Sequence, residues 1–171
     1  MAMQAVKDLG VPLKHNARLI LGTDEERGSE DLAYYYGKEP YAPYTFSPDA
    51  EFPLINIEKG SYRPVFTKSW ETETATPRLK EFHGGFRTNV VPPEAECVLA
   101  GLSAEAVRPY CDTTAELTGA SYELKEEGDD LRILCHGKGA HASTPEEGNN
   151  AITALLDLLC TLPLAKVGST A

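Results

Sequence analysis

The sequence predicts an α/β chain in two unlike parts: a segment of parallel-sheet character over residues 1–60, then an α+β domain over 61–171. Three observations carry this. The stretch "NARLILG" at 16–22 is a near-continuous apolar run, the mark of a strand covered on both faces in a parallel sheet. From about Ser61 the pattern changes to longer strands of alternating polarity. The later elements then follow in the order strand, helix, two strands, helix.

Taken in order, the chain opens on a helix with Ala2, Ala5, Val6 and Leu9 on one face and Gly10 as its stop. The strand at 16–22 comes next, and "SEDLAYYYG" reads as a short helix, with a Ser at its start, acids in its first turn and Gly37 after its end. A Pro- and Tyr-rich loop leads to "LINI", a second short strand. Two strands do not make a stable parallel sheet, so this half is expected to be incomplete. Strands are expected at 62–72, 79–86 and 94–101. A helix from Ser103 to Gly119 follows, with Val107, Tyr110, Cys111, Thr114 and Leu117 on one face and Pro109 as a possible kink. Strands near 121–126 and 131–136 are joined by the turn "EEGDD". The last helix is expected to begin at Thr144-Pro145-Glu146-Glu147, a Thr cap with Pro in the first position and Glu147 closing a capping box. Ala151, Leu155, Leu158 and Leu162 form its apolar stripe. The order is that of a ferredoxin-like split βαβ, with its last strand due where the sequence ends in "LAKVGSTA".

Composition narrows the function. With 42% hydrophobic and 25% charged residues among 171, the chain is globular, one or two small domains in size. A net charge of −10 and the lack of a basic stripe argue against nucleic acid or an anionic membrane as partner. No apolar run nears the roughly 18–20 residues that span a bilayer, and the first ten residues lack the layout of a signal peptide. Cys97, Cys111, Cys135 and Cys160 form no C-x-x-C pair, and each sits among apolar neighbours. They are expected to be reduced core thiols of a cytoplasmic protein.

The acidic stretch "GTDEERGSED" holds five carboxylates where the first strand should surface. Such a cluster is either a solvated loop or half of a metal site, because like charges need water or a cation beside them. Glu25 and Glu26 are adjacent at that strand end, so one could bind a metal while the other reaches a water on it; Asp49 in "FSPDAEFP" could return to the same edge. His141 lies in "GKGAHASTPEEGNNA", a glycine-rich turn before a helix, and Asn89 lies in "GGFRTNVVP" between two strands. Read alone, these are an ordinary loop histidine and a turn asparagine as readily as site residues. His136 falls in the strand alternation and reads as structural.

Together these four motifs, in this order and spacing, resemble the two-zinc aminoacylase and carboxypeptidase-like metallopeptidases, and most nearly the bacterial Xaa-His (carnosinase-type) dipeptidases. The resemblance covers essentially the whole chain. It implies a middle fragment: residues 1–60 as the last part of the first catalytic-domain segment, and 61–171 as the first half of a ferredoxin-like lid lacking its last strand. Relatives carry a His-x-Asp motif, a bridging Asp and a final metal-binding His, and none of these is in the sequence. By the same resemblance, Glu25 is the general base and Glu26 and Asp49 are ligands of the two zinc ions, with manganese or cobalt as possible substitutes. His141 stabilises the oxyanion, and Asn89 helps to hold a dipeptide or small amide substrate. The resemblance thus implies hydrolysis of short peptides by a larger enzyme of which this stretch alone is inactive. Two alternatives stay open: an N-acyl amino acid deacylase or desuccinylase of the same family, and a non-catalytic interaction module.

Overall fold

A computed structural model of the chain describes residues 1–49, 53–60, 62–67 and 74–165. It divides into two compact units, Met1–Ile55 and Asn56–Ala171.

The first unit holds helix α1 (Ala2–Asp8), a single 3₁₀ turn at Glu25–Arg27 and helix α2 (Glu30–Tyr36). The helices form where periodicity and the stop at Gly37 place them. The strands do not: 16–22 and 54–57 are irregular, and Leu19 and Leu21 are 65% and 81% exposed. A strand exists only if a neighbour takes its N–H and C=O groups, and no described residue of this unit offers one. The expected parallel sheet is therefore absent among the described residues. None of the unit's described residues is buried.

The second unit carries the core. Strands β1 (Arg78–Gly84), β3 (Glu94–Ala100), β4 (Ser121–Glu127) and β5 (Asp130–His136) form an antiparallel sheet in the order β1-β3-β5-β4. Helices α3 (Ala104–Thr118) and α4 (Ala151–Thr161) pack on it. Leu99, Val107, Leu131, Ile133, Leu155 and Leu158 are fully buried in their shared core. The β4–β5 hairpin pairs Leu124 with Ile133 and Glu127 with Asp130, so alternation sends one row to the helices and the other to the open face. On that open face Arg132 reaches Glu96 and Glu127, both at 3.1 Å.

β3, α3 and β4 make the expected split βαβ, with β5 between the two strands. One expectation is corrected. A ferredoxin-like sheet seats its last strand beside β3, and here that place is filled by β1, which precedes the motif in the chain. Of the strand expected at 62–72, residues 62–67 are irregular and 68–72 lie outside the described residues. Pro109 does not end α3, which runs through it from a Ser103 cap that accepts from Ala106 N–H at 3.3 Å. Of the face expected on α3, Val107, Cys111 and Thr114 are buried while Tyr110 and Leu117 are exposed.

The last helix also starts later than its capping box suggests. Pro145–Glu147 is a lone 3₁₀ turn, and Thr144 makes no side-chain cap bond. The chain extends at Gly148, and α4 is capped by Asn150, whose Oδ1 accepts from Ile152 N–H at 2.9 Å and Thr153 N–H at 3.3 Å. Backbone crowding explains the delay. Lys138 and Asn149 exchange N–H···O bonds of 2.8 Å in both directions. A Cβ on Gly137 would stand 2.1 Å from the Asn149 carbonyl oxygen, and one on Gly148 would stand 2.9 Å from Lys138 O. Only glycine permits that approach.

Candidate functional site

In the first unit the acidic stretch sorts itself. Asp24 accepts from Arg27 Nε at 2.8 Å and from Glu30 N–H at 3.2 Å, bracing the turn from inside. Asp31 accepts from Thr23 N–H at 2.6 Å and Leu32 N–H at 2.8 Å. The Thr23 amide is the main reason that its carboxyl is held below the ordinary carboxylate range. Two of the five acids are thus spent on local architecture. Glu25 and Glu26 stand on the exposed 3₁₀ turn rather than at a strand end, because the strand is not there. Adjacent residues on such a turn leave it about a third of a turn apart, so the two side chains diverge. Asp49 is exposed in irregular chain. Among the described residues no three His, Cys, Asp or Glu side chains come close enough to hold a metal ion. These all-oxygen donors do not by themselves fit a zinc site, which normally includes nitrogen or sulfur.

In the second unit two motifs far apart in sequence are brought together. A short ladder joins β2 (Val90–Val91) to β6 (Ala140–His141), pairing Val90 with His141 and Val91 with Ala140. Ala142 N–H donates to Asn89 O at 2.9 Å, so Asn89 and His141 sit at the same end of that ladder. His141 is exposed, while Asn89 is half-buried. The imidazole is held from its own turn: Nδ1 lies 2.7 Å from Ser143 Oγ and 3.2 Å from Ser143 N. Thr144 N–H closes that turn on His141 O at 3.0 Å, and Lys59 Nζ donates to Ser143 O at 2.5 Å. The sequence singles out His141 and Asn89 as candidates but neither partner of this turn. Ser143 could have been noticed from its two-residue offset, which suits local side-chain bonding. Lys59 lies 84 residues away from Ser143 and carries no local signal.

His136 lies on β5, where its strand alternation places it, 3.7 Å from Glu94 and 3.5 Å from Glu123 on the neighbouring strands. Cys97, Cys111 and Cys135 are buried free thiols, pushed up to about 12, 11 and 11 by burial. Cys160 departs from the expectation and is exposed, because it falls on the outer side of α4.

Residues 129–168 match the family described as Peptidase dimerisation domain. Over 169 residues, 98% of its length, the chain is 32% identical to "Putative dipeptidase YtjP" of Bacillus subtilis, of which it covers 36%. It is 35% identical over 156 residues to "Beta-Ala-Xaa dipeptidase" of Lactobacillus delbrueckii subsp. lactis, covering 90% of this chain and 33% of that protein. The chain therefore spans about a third of the length of the curated relatives it matches. No helix among the described residues is long and apolar enough to cross a membrane.

Proposed function

We propose that the chain belongs to the peptidases that carry this dimerisation domain, and that it is the middle part of a zinc-dependent dipeptidase acting on short unblocked peptides. The observation that supports this most is the β2–β6 ladder, which gathers Asn89 and His141 at one place on the second unit.

In this reading the attacking water gives a proton to Glu25, its oxygen bonds to the scissile carbonyl carbon, and the carbonyl oxygen becomes an oxyanion. His141 donates a hydrogen bond to that oxygen as its charge develops. The C–N bond then breaks, and Glu25 returns the proton to the leaving amine. Asn89 holds the substrate near His141. Glu26 and Asp49 would each lend one carboxylate to a pair of zinc ions, with the remaining ligands supplied by a longer protein; the ions would lower the pKa of the water and polarise the carbonyl. Manganese or cobalt could take their place. Residues 1–60 then belong to the catalytic domain, 61–171 to the lid, and this stretch alone is inactive. A cytoplasmic setting is part of the same proposal.

The test uses the full-length protein, supplemented with zinc, against a panel of dipeptides and N-acetyl amino acids. Glu25→Gln should lower dipeptide turnover about 10²–10⁴-fold, the usual contribution of a general base, with bound metal retained. Turnover of N-acetyl amino acids but not dipeptides would move the reading to a deacylase. Equal loss of metal in Glu25→Gln and Glu26→Ala would show that the roles of the two neighbours have been divided wrongly.

A further inference from the structure

We infer that Ser143 is a positioning residue for His141, fixing the neutral imidazole as its Nε2–H tautomer, and that Lys59 fastens Ser143 in turn. The inference rests on His141 acting as an oxyanion donor, and it adds how that donor is made ready.

The argument is one of donors and acceptors. Ser143 N–H donates to His141 Nδ1 at 3.2 Å, with Ser143 Oγ at 2.7 Å from the same atom. A backbone N–H has no lone pair to offer, so the ring atom it meets must be the acceptor. The opposite tautomer would set an Nδ1 proton against the Ser143 N–H proton. The hydroxyl, which turns freely, can add its own hydrogen to the same side. With Nδ1 accepting, the single proton of the neutral ring stands on Nε2. An oxyanion needs a donor, and the reversed tautomer would offer it a lone pair instead.

The turn that does this is itself tied down. Ala142 N–H is held by Asn89 O at 2.9 Å and Thr144 N–H by His141 O at 3.0 Å. Lys59 Nζ donates to Ser143 O at 2.5 Å from a segment 84 residues earlier in the chain. A charge-assisted bond of this kind restrains the Ser143–Thr144 peptide, the unit next to the one whose N–H meets the ring. The sequence of control therefore runs from Lys59 to the Ser143 backbone, and from Ser143 to the ring.

The experiment needs no turnover. The 171-residue chain, labelled with ¹⁵N-histidine, is examined by two-bond ¹H–¹⁵N correlation at about pH 8.5, roughly two units above the ordinary imidazole pKa. His141→Asn identifies the His141 signals. The wild type should show one protonated-type nitrogen at Nε2 and one acceptor-type nitrogen at Nδ1. Ser143→Ala should shrink the separation between the two nitrogens, as the ring begins to exchange tautomers, and Ser143→Thr should restore it. Lys59→Met should shrink it in the same sense. An Nδ1–H ring or an even mixture in the wild type would overturn the inference. So would a Ser143→Ala spectrum identical to wild type, and an unaltered Lys59→Met spectrum would remove Lys59 from it. Because the measurement is made on this chain, its failure leaves the dipeptidase reading standing. An inactive full-length protein would sink that reading and leave the tautomer result intact.

Discussion

Burial and the sulfur chemistry of single residues meet in the four cysteines. A thiol reacts as its thiolate, so raising the pKa and closing off solvent act in the same direction. Cys97, Cys111 and Cys135 suffer both, whereas Cys160 is open to solvent. At about pH 8, near the pKa of an ordinary thiol, the native chain should take up an alkylating reagent on Cys160 alone. All four should label once the chain is unfolded, and peptide mapping by mass spectrometry checks the site. Labelling of Cys97 at the rate of Cys160 would mean that the core is open. At this scale a residue type draws the eye in the sequence, as with Glu25, Glu26, Asp49, Asn89 and His141, whose roles stay with the proposal. The sequence was silent where a contact comes from a backbone meeting, as with Ser143 and Lys59 at the histidine turn. Asp24 and Asp31 look like further ligand candidates in the sequence and prove to be braces.

At the scale of elements, α4 separates local signal from tertiary demand. Thr144-Pro145-Glu146-Glu147 satisfies every rule for a helix start, yet the helix begins seven residues after Thr144, at Ala151. Contact between Gly137, Lys138, Gly148 and Asn149 holds the backbone extended just where the earlier helix would have grown. Asn150→Ala should therefore cost about 1 kcal/mol, within the ~0.5–2 typical of a lost cap. Thr144→Ala should stay within about 0.5 kcal/mol, as for an ordinary surface change. Urea unfolding of both variants decides it, and a larger loss at Thr144 would return the cap to that residue. The strand expected at 16–22 fails for a different reason. Its apolar residues are right for a buried strand, but hydrogen-bond partners are a property of the sheet and not of the segment. The strands of the second unit were legible because alternation and the tight turn before Asp130 specify both partners within a short span.

Across the whole molecule, the two units differ in what holds them. The second has a closed set of buried leucines, valine and isoleucine; the first has no buried described residue. Amide exchange should report this directly: α1 and α2 should exchange far faster than β3, β5 and α4, whose opening approaches global unfolding. Equal protection across both units would mean that the first is stabilised by contacts beyond its own buried surface. The strands β3, β4 and β5 were legible from periodicity, close to the spans expected at 94–101, 121–126 and 131–136. The seat of β1 was not, because a strand's place in the sheet order is a long-range choice that its own residues do not encode.

The hydrogen bond from Ala165 N–H to Pro77 O, 2.7 Å long, sets the chain leading into β1 beside the chain that follows α4. A folded body whose two tethers lie side by side can be transplanted. Residues 74–165 could be spliced into a surface turn of an unrelated host without pulling the sheet apart. They could equally be joined head to tail by a short peptide into a ring, with new ends opened at the β4–β5 hairpin instead.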